Sequence, residues 1–294
     1  MFPAPFTYFV EFREITPKLR PFILAELASA GVKHLVLNKF LIADILQDAS
    51  LVKTLPIELS QAGLDFVDSH ALFGLPYDLM LYGDQMQEHR ILLGKLQLSI
   101  AAEMGVDTMT FHLGNDALVP EIPLEKLCEN ACRNLEALLP EAERLGVTLC
   151  IENSWNILSR PDSLLTFKRE FPTKALGFCF DSGHANILSS HAKSAEGGGA
   201  RERWAPRGRE VEWEDHALEK MLPHVVNCHL HDNNGFFDQH LPPGEGCVDW
   251  SGAVALLRQA PRLKCLQSEV KLIAHGCSAR KLCDRFATIF GGQS

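Results

Sequence analysis

The stretch LEKLCENACRNLEALLPEAERLGVTLCIEN, from Leu124 to Asn153, changes rhythm once, and that change decides the fold. Up to Leu145 the apolar residues Leu124, Leu127, Cys128, Ala131, Leu135, Leu138 and Leu139 recur at helical spacing, which predicts a helix with one buried face. Gly146 then stops it, because glycine enters the left-handed conformation without the clash a Cβ would cause. From Thr148 the run TLCIEN is short and apolar, as in a strand covered on both faces. Helix, glycine and buried strand together make half of a βαβ unit.

Working outward, the same kind of run recurs along the whole chain. FTYFVEF starts at Phe6, HLVLN at His34, LDFVDSH at Leu64 and TMTFHLG at Thr108. After TLCIEN come LGFCFDSGH from Leu176, VVNCHLHD from Val225 and LKCLQSEV from Leu263. Helical patterns lie between them, and Gly31, Gly63 and Gly105 close others as Gly146 does. Eight alternations in one chain of 294 residues predict an α/β fold of the (β/α)8 TIM-barrel type, a single domain over residues 1–294. A doubly wound open sheet is the competitor, but no Gly-rich dinucleotide fingerprint follows any of the runs. One stretch breaks the rhythm, SSHAKSAEGGGARERWAPRGREVEWED, and it predicts an insertion at about 190–214 after the sixth strand. It reads as a lid or mobile loop over the barrel mouth, the alternative being a disordered surface insertion. Its arginines, Arg201, Arg203, Arg207 and Arg209, read as solvated charge, with recruitment of a phosphate or carboxylate as the second reading.

Composition narrows the partners. Hydrophobic residues make up 46% and charged residues 22%, enough for a sizeable core. The net charge of −9 argues against a generic nucleic-acid or anionic-membrane binder, although bound divalent cations could reverse the field locally. No apolar run approaches the roughly 20 residues that span a bilayer. The start, MFPAPFTYFVEF, has no basic n-region, so the expectation is no signal peptide and a cytoplasmic protein. Nine cysteines without a CxxC pair predict neither a disulfide framework nor a cysteine zinc site.

The ends of the predicted strands carry the chemistry. The third ends at His70, the fourth at His112 and the fifth at Glu152. The sixth ends in Asp181, with His184 three residues on, the seventh carries His229 and the eighth Glu269. A loop of turn-forming residues after the seventh, HLHDNNGFFDQHLPPGEG, adds Asp238 and His240. The C-terminal ends of barrel strands meet at one mouth, so these groups converge there. Carboxylates brought together repel unless cations neutralise them. A mixed set of imidazole and carboxylate ligands suits zinc or manganese, and the expectation is a divalent-metal site.

At these positions the sequence resembles the xylose isomerase-like barrel superfamily, which includes sugar isomerases, epimerases and the endonuclease IV repair enzymes. IEN, DSGHAN, HLHDN, the DQHLPPGEG segment and SEV carry the resemblance, and it covers almost the whole chain. The resemblance implies one metal held by Glu152, Asp181, His229 and Glu269, with His229 chosen over His231 by its distance from the acidic residue that follows. Likeness to endonuclease IV implies five further ligands, His70, His112, His184, Asp238 and His240, and as many as three zinc ions. The loops depart from the repair enzymes, because the segment between His229 and Asp238 holds no Lys or Arg and ALFGLPYDL after His70 is uncharged until Asp78. The resemblance therefore implies a sugar or sugar-phosphate isomerase or epimerase, with Glu152 and Glu269 exchanging a proton at carbon and His184 orienting a substrate hydroxyl. Trp155 either walls the pocket or merely packs. The alternative is a trinuclear-zinc phosphodiester hydrolase acting at abasic sites, for which Lys39 is one of the few phosphate-contact candidates. A small-molecule sugar is the expected partner, with nucleic acid and membrane disfavoured and a homo-oligomer compatible with the sequence.

Overall fold

The computed structural model describes residues 2, 4–80, 84–191 and 199–291. Among these the eight expected strands all form: β1 (Phe6–Tyr8), β2 (His34–Leu37), β3 (Asp65–Ser69), β4 (Thr108–Phe111), β5 (Thr148–Glu152), β6 (Leu176–Asp181), β7 (Val225–Leu230) and β8 (Leu266–Ser268). All pair in parallel, in the order β3-β2-β1-β8-β7-β6-β5-β4. Between β3 and β4 the ladder shrinks to a single bridge, His70 to Thr110, where the Ala71 N–H donates to the Thr110 carbonyl at 2.9 Å. This nearly closes the sheet into a barrel, and helices lie between successive strands. The fold is a (β/α)8 barrel.

The decisive stretch behaves as its pattern requires. Leu124–Leu145 is one helix whose inward residues Leu127, Ala131, Leu135, Leu138 and Leu139 are buried, and Gly146 ends it at φ 70°. Every residue of β5, β6 and β7 is buried, which is why these strands read as unbroken apolar runs. The first strand is shorter than FTYFVEF predicts. Only Phe6–Tyr8 lies opposite Leu266–Ser268, and beyond Phe9 the chain turns into a 3-10 segment, Phe12–Glu14.

The barrel interior is not wholly apolar. Asp68 of β3 is fully buried and accepts hydrogen bonds from Thr108 Oγ1 (2.6 Å), the Ser69 N–H (2.9 Å) and Asn227 Nδ2 (3.0 Å). Burial pushes its carboxyl pKa up, against the pull of those donors. Asn227 Nδ2 also donates to Thr110 Oγ1 at 2.9 Å, so a polar layer spans the barrel below the strand ends.

Part of the predicted insertion, residues 192–198, lies outside the described residues. Its later part folds against the barrel, unlike a disordered surface loop. Gly199–Trp204 is a helix, and Trp204 is fully buried among Ile157, Leu188 and Ala200 with its Nε1 donating to the Trp155 carbonyl at 2.9 Å. Arg207 is not free surface charge. Its guanidinium donates to the carbonyls of Asp116, Val119 and Ile122 and ties the insertion to the loop after β4. Arg209 remains exposed.

Candidate metal centre at the barrel mouth

The expected site residues are brought together. Glu152, Asp181, His229 and Glu269 offer ligand atoms that all lie within 4.8 Å of one another, although they come from β5, β6, β7 and the residue just past β8. Register does this, because Asp181 lies beside His229 and His229 beside Gln267 across parallel ladders. His229 Nδ1 stands 2.6 Å from Glu152 Oε1 and 3.4 Å from Glu269 Oε1. Gln267 Nε2 donates to Glu269 Oε1 at 2.8 Å and steadies that carboxylate from the strand below.

The flank toward β3 and β4 holds His70 and His112. His112 Nε2 lies 2.7 Å from Glu152 Oε2, and the His70 ring stacks on His229 with centroids 5.4 Å apart. His70, Glu152 and His229 form a second group of converging ligand atoms. On the opposite flank Asp181 caps the helix Ser182–Leu188, its Oδ1 accepting the His184 N–H at 2.6 Å. That cap fixes His184 on the first turn, facing the mouth. Asp238 Oδ2 stands 3.1 Å from His240 Nε2 and 3.8 Å from His184 Nε2. His240 has φ 52°, the one non-glycine residue with positive φ among the described residues.

Sequence reasoning missed His231. The family motif selects His229, yet His231 is fully buried, its Nε2 donates to Asp181 Oδ2 at 3.1 Å, and its ring stacks on His240 with centroids 4.1 Å apart. It belongs to two of the converging groups, one with Asp181 and His184, the other with His240 and Glu269. Its ring packs so closely on Gly183 that an added Cβ there would overlap it, a contact the sequence does not mark. The loop carrying Asp238 and His240 is organised by Asp232, whose two oxygens accept the N–H groups of Asn233, Gly244 and Val248 and the Trp250 indole.

The donor set fits divalent cations. His70, His184 and His240 each donate Nδ1–H to a backbone carbonyl, those of Ala71, Asn153 and Glu269, which leaves Nε2 as the atom available to an ion. Among the described residues no Lys or Arg comes within ion-pair distance of Glu152, Asp181 or Glu269, whose charged partners at that distance are histidines. Asp238 Oδ1 is buried with no hydrogen-bond partner. The site's electrostatics match. Burial would raise the Glu152 pKa, but His229 and His112 hold it well below the usual carboxylate range. Burial would lower His229, but Glu269, Glu152 and Asp181 push it up to about 10. Burial and the neighbouring His112 and His229 keep His70 well below the ordinary imidazole value.

A cavity of about 370 Å³ opens onto the cluster from the side of β1, β2 and β8. A second groove of about 290 Å³ runs past His112, Glu152 and His184 to Trp155 and Arg203. Trp155 meets the His184 ring edge-on at 4.8 Å, and the Arg203 guanidinium lies 5.6 Å from its ring centroid.

Comparison with known proteins agrees with this architecture. The family described as "Xylose isomerase-like TIM barrel" matches residues 25–262. The chain belongs to that family. Among solved structures, a D-tagatose 3-epimerase-like protein is 18% identical with TM-score 0.70 and 98% of each chain covered. The IOLI protein, solved with a binding zinc atom, is 14% identical with TM-score 0.70 and again 98% of each chain. A curated relative, the uncharacterised protein MJ1311 of Methanocaldococcus jannaschii, is 26% identical over 166 residues. That match covers 54% of this chain, and the chain spans about half the length of the relative (49%). As a xylose isomerase-like barrel, the protein places its candidate residues at the mouth where barrel enzymes do their chemistry. No helix among the described residues is long and apolar enough to cross a membrane.

Proposed function

We propose that the protein is a divalent-metal-dependent isomerase or epimerase of a sugar or sugar phosphate, moving a proton at a carbon next to a carbonyl. The observation that carries this reading is the pair of carboxylates, Glu152 and Glu269, both within 3.4 Å of Nδ1 of the buried His229 where they line a cavity of small-molecule size. Glu152, Asp181, His229 and Glu269 would hold the central ion, with His70 and His112 on one flank and His184, Asp238 and His240 on the other. When bound, a zinc or manganese ion supplies Lewis acidity toward the carbonyl oxygen, which acidifies the adjacent C–H. One of the two glutamates removes that proton and the other returns one, to the same carbon for epimerisation or to its neighbour for isomerisation. His184 Nε2 faces the cavity while its Nδ1 is anchored on Asn153, so it orients a substrate hydroxyl. The likeness to a D-tagatose 3-epimerase-like fold supports this reading.

Turnover of a ketose in deuterated water should place deuterium at the reacting carbon, and Glu269→Gln should lower that exchange by about 100-fold, as loss of a general acid or base does. The full set of nine converging residues favours one rival, a hydrolase that cleaves abasic duplex DNA. Such cleavage by the metal-loaded protein, with no exchange on a broad ketose panel, would replace the isomerase reading.

A further inference from the structure

A further groove, of about 220 Å³, lies outside the mouth between the helices Ser182–Leu188 and Trp250–Leu257, and no residue of the metal centre lines it. Cys247 does, and it alone among the nine cysteines is exposed. Its sulfur has organised company. Sγ lies 3.6 Å from His191 Nε2 and accepts the Asn186 side-chain amide N–H at 3.2 Å. His191 Nδ1 lies 2.8 Å from Ser189 Oγ, and that hydroxyl donates its one proton to Asp215 Oδ1, also at 2.8 Å. Nδ1 must therefore carry the hydrogen of its bond to Ser189, which leaves Nε2 as the acceptor facing the thiol. The order Asp215, Ser189, His191, Cys247 is that of an oriented base beside a nucleophile. The Cys247 N–H donates to the Asn233 carbonyl at 2.9 Å, which fixes the backbone under the sulfur.

A thiol reacts as its thiolate, so a nucleophilic cysteine needs a place for its proton. Transfer from Sγ to His191 Nε2 gives a thiolate beside an imidazolium, with Asn186 donating to the anion and Asp215, through Ser189, supporting the cation. Among the described residues the groove lining carries Glu214, Asp215, Glu219 and Asp249 and no Lys or Arg, while Lys220 pairs with Glu214 from outside it. These carboxylates oppose an isolated thiolate but favour the imidazolium of the pair, and they draw in molecules of positive charge. We propose that Cys247 is a site of thiol–disulfide exchange, with His191 as its base, selective for small disulfides that carry ammonium groups. His191 takes the thiol proton, and Cys247 Sγ attacks one sulfur of the disulfide. A new S–S bond forms to Cys247 as the old one breaks, and the departing thiolate takes the proton from His191. One thiol and one disulfide give one disulfide and one thiol, so no other oxidant is consumed.

The test follows modification of the full chain by cystamine at neutral pH and low salt, with intact mass to count the adducts and peptide mapping to place them. Cys247 should carry the first adduct, at a rate about tenfold or more above that of any other cysteine. Only a few per cent of an ordinary thiol is ionised at about pH 7, so His191→Ala should slow the reaction at Cys247 about tenfold. The dianionic disulfide dithiodipropionate should react about tenfold more slowly than cystamine, each rate being divided by that of the same disulfide with a free thiol. A first adduct at Cys128, Cys132 or Cys283, an unchanged rate in His191→Ala, or equal normalised rates for the two disulfides would overturn the proposal.

Discussion

His231 shows what a single side chain adds to a motif. In His70, His184 and His240 an Nδ1–H anchored on a carbonyl leaves Nε2 as the atom available to a ligand. His231 differs, because its Nδ1 is buried without a partner and its Nε2 donates to Asp181. It therefore orients Asp181 from behind, while the other oxygen of Asp181 is held by the His184 N–H. Asp181 thus belongs both to the central group and to the group with His184 and His231, whereas His240 lies outside the central group. Asp181→Ala should abolish the central ion and also remove a helix cap worth about 1 kcal/mol. His240→Ala should leave the central ion in place, since Glu152, Asp181, His229 and Glu269 converge without it. Metal analysis of the two variants checks this, and loss of all metal from His240→Ala would contradict the arrangement.

At the scale of elements, the insertion helix Gly199–Trp204 is held by one large side chain. Trp204 is fully buried in a small cluster apart from the main core. Trp204→Ala should cost about 3–5 kcal/mol, as other buried aromatic truncations do. Thermal unfolding checks the size, and a change within about 0.5 kcal/mol would mean that the helix does not dock as described. The strands were legible because two-sided burial leaves them as apolar runs and because glycines end the helices between them. The ligands at their C-terminal ends were legible for the same reason, since position in the strand fixes position in the barrel. The anchors were not. Arg207 works on carbonyls about ninety residues away in sequence, and the Asp68–Asn227–Thr110 layer joins strands β3, β7 and β4. No local pattern marks such contacts, because the partner comes into reach only when the barrel closes. Asp68 gave one hint, a charged residue inside the run LDFVDSH.

For the whole molecule, the proposed metal dependence makes protons and cations competitors for one buried centre in an acidic chain. His229 is the pivot, its pKa pushed up to about 10 although burial works against it. In the metal-free protein this raised value stabilises the fold fully below the unfolded imidazole pKa of about 6.5, and the contribution is lost as pH rises toward 10. Metal entry has the opposite sign. The ligand nitrogen must be bare, so each ion taken up by Glu152, Asp181, His229 and Glu269 near neutral pH displaces the His229 proton. Affinity should then rise about tenfold per pH unit for that proton, and the stability gained from the ion should rise with it. Between pH 6 and pH 8 the metal-free melting temperature should therefore drift down from this group, while the gap between metal-loaded and metal-free protein widens. Melting curves at fixed free zinc or manganese measure that gap, and a gap that stays constant or narrows would show that His229 surrenders no proton to the ion.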